Sequence, residues 1–443
     1  MKYPRYAAYK ESGVEWIGEI PEHWRLLKLK YLVWCLDSKR IPLNAQERSF
    51  QEGDIEYWGA NGVVGYVDKF LFNEELVLIG EDGAPFNEKF REVAFYVNKP
   101  IWPNNHIHVL KVRVGISSNF IKHSLNSCDF TNFIEGSTRD KLTQSNLLQI
   151  PIAICDTNEQ KKISSFLEAK ISIIDNITSK LQKLISLLKE KRQAIITKAV
   201  TKGLDPNVPM KDSGIEWIGE IPETWNFTKL KHLTSREKYS FVDGPFGSDL
   251  KNEEYQTDGV PLIQLNNISN GVHLLNDTKF ISEEKAESLF KHSIKPGDIV
   301  IAKMADPVAR SAIVGDYYKK YVIVADCVKL VLDGRKASNR FVNYAINSTF
   351  VRAVAETQSS GTTRLRINLG SIKELPILLP SLNEQLQISD FLGNITHNID
   401  LAIAMQKKMM QLLSEYNVSL ISHSVTGKID LRRSLQDQTI TKP

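Results

Sequence analysis

The sequence predicts an α+β protein: two mixed α/β domains joined by two long helices that form an antiparallel coiled coil, with pseudo-two-fold symmetry. Three observations predict this. A short block occurs twice, two long stretches carry a heptad pattern, and the strand-rich segments between them differ from each other.

The repeat is the first of these. Residues 10–24 read KESGVEWIGEIPEHW and residues 211–225 read KDSGIEWIGEIPETW, identical at 12 of 15 positions. The likeness continues as KLKYL at 28–32 and KLKHL at 229–233, an offset of 201. A second block repeats at an offset of 225. Asn158, Glu159 and Gln160 correspond to Asn383, Glu384 and Gln385, and Ile163, Phe166, Leu167 and Asp175 to Ile388, Phe391, Leu392 and Asp400. The second insert is therefore 24 residues longer (225 − 201), and residues 25–150 and 226–375 share little.

The helices follow from periodicity. Ile163, Leu167, Ile174, Ile177, Leu181, Leu184, Leu188 and Ile195 fall on a seam spaced by threes and fours, as do Ile388, Leu392, Ile395, Ile399, Met409, Leu413 and Leu420. Asp156 with Glu159, and Ser381 with Glu384, have the spacing of capping boxes. Gly203 followed by Pro206 closes the first helix, and the second ends near Gly427. Each would be about 66 Å long. Two core helices of one globular domain are the alternative. Such helices average about 11–12 residues, so length and a narrow seam favour the coiled coil. Residues 157–200 hold nine Lys/Arg against four Asp/Glu, which fits a solvated face as well as a face toward DNA or a partner. The resulting segments are a first domain at 1–150, a central helix at 151–205, a second domain at 206–375, a C-terminal helix at 376–430 and a tail at 431–443.

The inserts carry strands at 75–80, 106–111, 298–303 and 321–325. Gly-rich segments at 59–65 and 243–248 match neither a Walker loop nor a dinucleotide fingerprint, so they read as turns. Just before each long helix lies a polar, basic loop, at 135–141 (EGSTRDK) and 358–366 (QSSGTTRLR). Ser137, Thr138, Arg139 and Lys141 in the first, and Thr362, Thr363, Arg364 and Arg366 in the second, are donors suited to phosphates and guanine edges. Asn61, Gln264, Asn266, Asn267 and Lys303 join them as candidate DNA contacts, the amides being suited to adenine edges. A solvated loop or a turn gives the same residue pattern. His106 and His108 share a strand face, but no further ligand cluster accompanies them, so no metal is expected.

Composition sets outer limits. The chain is 42% hydrophobic and 24% charged, with a net charge of +4, so a basic footprint for nucleic acid has to be local. Cys35, Cys128, Cys155 and Cys327 form no CxxC pair, which points away from zinc and disulfides and toward a reducing cytoplasm. Neither a signal peptide nor a membrane span is apparent.

The repeated block, the Ile150-Pro151 or Leu375-Pro376 followed by NEQ at each helix start and the two divergent inserts resemble the specificity subunit of type I restriction-modification enzymes. The segments YWGANG at 57–62, DGPFGSDL at 243–250 and KPGDI at 295–299 are similar to parts of that family's target recognition domains. The resemblance covers essentially the whole chain. It implies that each insert reads one half of a split, asymmetric site in double-stranded DNA, while the coiled coil fixes the unread spacer. It also implies two modification subunits that use S-adenosylmethionine to methylate adenine. Two restriction subunits would use ATP and Mg for translocation and cleavage. No cofactor would bind this chain, and no catalysis would occur on it. Its own residues agree: Asp306-Pro307-Val308 lacks the second proline and the aromatic of an amino-methyltransferase motif. An autonomous nuclease or methyltransferase, and a coiled-coil adaptor that binds no DNA, are the competing readings.

Overall fold

The computed structural model describes residues 3–49, 51–136, 139–216, 218–247, 249–304, 307–361 and 365–432. The chain forms two compact units, residues 1–182 with 406–443 and residues 183–405. No helix among the described residues is long and apolar enough to cross a membrane.

The repeated block folds the same way in each unit. Tyr9–Glu11 pairs with Glu19–Pro21 in the first, and Met210–Asp212 with Glu220–Pro222 in the second. Both turns are set by a serine that accepts its own loop's N–H: Ser12 Oγ from Val14 and Ser213 Oγ from Ile215, each at 3.1 Å. The tryptophan closing each block, Trp24 or Trp225, is fully buried, and a buried indole N–H needs an acceptor. That acceptor is the glutamate of the second repeated block. Trp24 donates to Glu159 at 3.3 Å, and Trp225 to both oxygens of Glu384 at 3.1 Å. Glu159 also accepts from the Tyr6 hydroxyl at 2.6 Å and meets His23 at 2.9 Å.

This contact corrects the expected capping boxes. Half of each forms: Asp156 accepts from the Glu159 N–H at 3.0 Å and Ser381 from the Glu384 N–H at 3.3 Å. The glutamate side chains turn instead to the tryptophans. The next residue works in parallel. Gln160 accepts from the Ser117 N–H at 2.9 Å and Gln385 from the Ser338 N–H at 2.8 Å. Ser117 and Ser338 are the N-caps of helices Ser118–Asn126 and Asn339–Ile346. So NEQ ties the repeated scaffold to the insert in both units.

The inserts build on equivalent sheets. The first has a four-stranded antiparallel sheet in the order Val33–Cys35, Ile107–Val112, Glu75–Gly80, Ala94–Asn98. The second has Phe241–Asp243, Cys327–Leu330, Ile299–Ala302, Ser311–Ile313 in the same order, plus Gly271–Val272 at the edge. Their second sheets differ. One has three strands, and the other has four strands with the helix Glu283–Ser288 nearby in sequence.

The long helices are Thr157–Lys202 and Leu382–Val425. In the first unit, Ile163, Phe166 and Leu167 share a core with Leu420, Ile421 and Val425. In the second, Ile196, Ala199 and Val200 share one with Ile388 and Leu392. The start of each helix thus packs with the end of the other, which is the antiparallel arrangement. The seam departs from the sequence pattern in the middle. Leu167, Ile174 and Leu181, seven apart, are buried, whereas Ile177, Leu184 and Met409 are 38%, 41% and 50% exposed. Leu188, Ile195, Ile395 and Leu413 are half-buried, and Ile399 is buried. The row that repeats every seven residues from Leu167 faces the core, and the row of Ile177 and Leu184 lies outside it.

Candidate nucleic-acid interface

At one end of each main sheet three chain segments are held side by side by backbone hydrogen bonds. In the first unit the Glu81 N–H donates to the His106 carbonyl, and the Glu81 carbonyl accepts from the Leu142 N–H, both at 2.8 Å. In the second unit the Lys303 N–H donates to the Asp326 carbonyl at 2.8 Å, and its carbonyl accepts from the Ile367 N–H at 2.9 Å. Glu81, His106 and Leu142 are therefore the counterparts of Lys303, Asp326 and Ile367. The polar loops then align at the helix offset of 225. Gly136 and Gly361 open them with φ of +111° and +116°, a left-handed region that glycine enters without strain.

In the first unit these segments bring the predicted residues together. The Asn61 amide donates to the Gly83 carbonyl at 3.3 Å from the two-residue turn between Gly59 and Gly62. Arg139 pairs with Asp82 at 2.8 Å, and His106 faces the same carboxylate at 3.3 Å. Lys141 lies 3.6 Å from Glu81, which Arg40 also holds at 2.8 Å. Arg139 and Lys141 stay 59% and 51% exposed, so they can exchange these partners for phosphate or base atoms.

His108, in contrast, belongs to the interior. Its ring nitrogens meet Asp37 at 2.5 Å and the Leu142 carbonyl at 2.7 Å. Burial alone would raise the Asp37 carboxyl. The His108 hydrogen bond and charge, the Val109 N–H and Arg40 outweigh it and hold the pKa below its ordinary value. Cys35, Asp37 and His108 place their donor atoms within 4.8 Å of one another. With Arg40 3.5 Å from Asp37, this is an ion-pair network filled by protein groups.

In the second unit the structure divides the predicted residues. Lys303 is 5% exposed and paired with Asp243 at 3.0 Å. Asn267 is fully buried, accepting from the Gln264 N–H and donating to the Asn276 carbonyl. Both are corrected from DNA contacts to parts of the fold, because their polar atoms are committed inside it. Asn266 is exposed and donates to Asn276 at 3.1 Å. Gln264, Asn266 and Asp326 line a 400 Å³ recess with Leu250, Val324 and Ala325. Arg366 reaches Asp326 at 2.7 Å. Ser137, Thr138, Thr362, Thr363 and Arg364 lie outside the described residues.

The sequence did not single out His106 for this patch, nor Asp82 or Asp326, which the structure places beside the basic residues. No spacing in the sequence aligns His106 with Asp326, since their offset is 220 (326 − 106). Each patch offers what reads a groove: basic groups for phosphate and guanine, amides for adenine, and carboxylates for exocyclic amino groups.

The family described as type I restriction modification DNA specificity domain matches residues 21–186 and 222–408. The chain is 22% identical to the type I restriction enzyme MjaVIII specificity subunit of Methanocaldococcus jannaschii, over 96% of this chain and 97% of that one. It is 35% identical to a putative type I restriction enzyme specificity subunit of Haemophilus influenzae, over 30% of this chain and 34% of that protein's length. A solved structure from work on assembly and conformational transition of the type I restriction-modification system has the same fold, with a TM-score of 0.66. It is 14% identical and covers 93% of this chain and 99% of that one.

Proposed function

The chain belongs to the type I restriction-modification DNA specificity family, and from that premise we propose that each unit reads one half of a bipartite, asymmetric DNA site. The observation that carries the reading is the pair of matched patches. They share backbone hydrogen bonds, a left-handed glycine and a basic loop, yet differ in the side chains they present. A common frame with different donors and acceptors is what two unlike half-sites require.

The long helices then set the unread gap. Adenine methylation and cleavage fall to partner subunits, two for modification and two for restriction, where S-adenosylmethionine, ATP and Mg bind. The chain itself supplies recognition and no catalysis. Exposed apolar side chains on the long helices, among them Ile173, Leu187, Met405 and Leu412, support a role in assembly.

The test is a titration of the full-length chain against duplex DNA over a salt series. Steep salt dependence is expected, because phosphate contacts release counterions. Arg139→Ala should weaken binding and lower the salt slope by about one. Binding that ignores both salt and Arg139 would refute the reading.

A further inference from the structure

We propose that one register position, occupied by His106 in the first unit and Asp326 in the second, selects a base in each half-site. At that position Asp326 accepts a hydrogen bond from an exocyclic amino group. The inference rests on the two-half reading above and names side chains that make the halves differ.

The backbone fixes the equivalence. His106 accepts from the Glu81 N–H and Asp326 from the Lys303 N–H, at the same place beside the basic loop. The neighbouring basic residue is kept in kind, Lys141 against Arg366, and each forms a bridge to the residue after Glu81 or Lys303. The chemistry at the position itself is not kept. A carboxylate is an acceptor only, whereas an imidazole also donates. Asp326 therefore discriminates by charge against guanine O6 and thymine O4 and favours adenine N6 or cytosine N4.

The surroundings fit a base edge. Asp326 is 29% exposed and Arg366 holds it from one side. Asp326 also lines the recess, where Gln264 and Asn266 add amides and Val324, Ala325 and Leu250 add an apolar wall. When Arg366 turns to a phosphate, the carboxylate oxygen it leaves is available to an amino group.

The experiment is selection from a random duplex library by the full-length chain and three variants. The wild type should yield a two-part consensus. Asp326→Asn, which keeps the side chain's shape, should lower the enrichment of one adenine or cytosine in one half by about tenfold and spare the other half. The letter lost identifies which amino group is read. His106→Asp should bring a preference for an amino-bearing base into the opposite half. Arg366→Gln should weaken binding without erasing the same letter. If Asp326→Asn and Arg366→Gln erase the same letter, Asp326 acts through Arg366 and the proposal is overturned. An unchanged consensus for Asp326→Asn, with unchanged thermal melting, overturns it as well. A wild-type chain that selects no two-part consensus would instead defeat the two-half reading itself.

Discussion

Asp37 and Asp243 hold the same place at the end of the first strand of each main sheet, and each neutralises an interior cation. The cation comes from different positions: Arg40 in one unit, where His108 is hydrogen-bonded to the same carboxylate, and Lys303 in the other. This is why Lys303 misled the sequence reading. A lysine ending a strand looks the same whether it faces solvent or a buried carboxylate, and only burial separates the two. The Asp37 pair carries a pH signature. Its folded pKa lies below the unfolded value of about 3.9, so its contribution is fully present above that value and fades as pH falls through the lower, folded one. Asp37→Asn should destabilise the chain at neutral pH, and the gap to wild type should narrow below about pH 4 in denaturation curves. A gap that stays constant down to low pH would show that the Asp37 charge is not what matters. Glu159 and Glu384 give a paired forecast. Glu159 is 3% exposed and takes Tyr6, His23 and Trp24, and burial together with that contact raises the Tyr6 hydroxyl's pKa. Glu384 is half-buried and takes Trp225 among these counterparts. Glu159→Ala should therefore cost about 3 kcal/mol and Glu384→Ala about 1 kcal/mol, measured by chemical denaturation.

At the scale of elements, the long helices were legible because period, caps and closing glycines all agree over some forty residues. The fine seam was not, because a heptad pattern does not say which of its two rows faces the partner along the middle of the helix. The loops were legible as a matched pair of candidate DNA contacts, but the segments they lie beside were not. What sets their neighbours is the backbone ladder to Glu81 and Lys303, and side-chain identities do not encode that ladder. The inserts lost their likeness for the same reason. The offset is 206 at Cys35 and Phe241, whose partners Leu110 and Leu330 are equivalent, and 222 at Gly80 and Ala302. Sixteen of the extra residues (222 − 206) thus lie in the stretch that holds three strands of the second unit's four-stranded sheet and the helix Glu283–Ser288. The loop glycine supplies a test at this scale. A Cβ on Gly136 would sit 2.2 Å from the Arg139 carbonyl oxygen, and its φ of +111° excludes easy relief. Gly136→Ala should misplace Arg139 and weaken binding several-fold through the first half-site, with little change through the second. Equal losses against duplexes altered in either half would contradict this.

For the molecule as a whole, the repeated parts hold the scaffold and the divergent parts hold the patches proposed to read DNA. Both long helices pass from one compact unit to the other, at residues 182–183 and 405–406. Inserting one heptad at each of these points adds about 10 Å of helix, or about three base pairs of B-DNA. Such a chain should recognise the same two half-sites with a wider gap. The central claim is that one chain reads two unlike half-sites at a fixed separation. Sequencing of methylated adenines in DNA from cells that carry this chain with its partner subunits tests it most directly. The account predicts one asymmetric motif of two short defined parts, separated by a constant number of unspecified bases. A contiguous or palindromic motif, or a gap that varies from site to site, would contradict it.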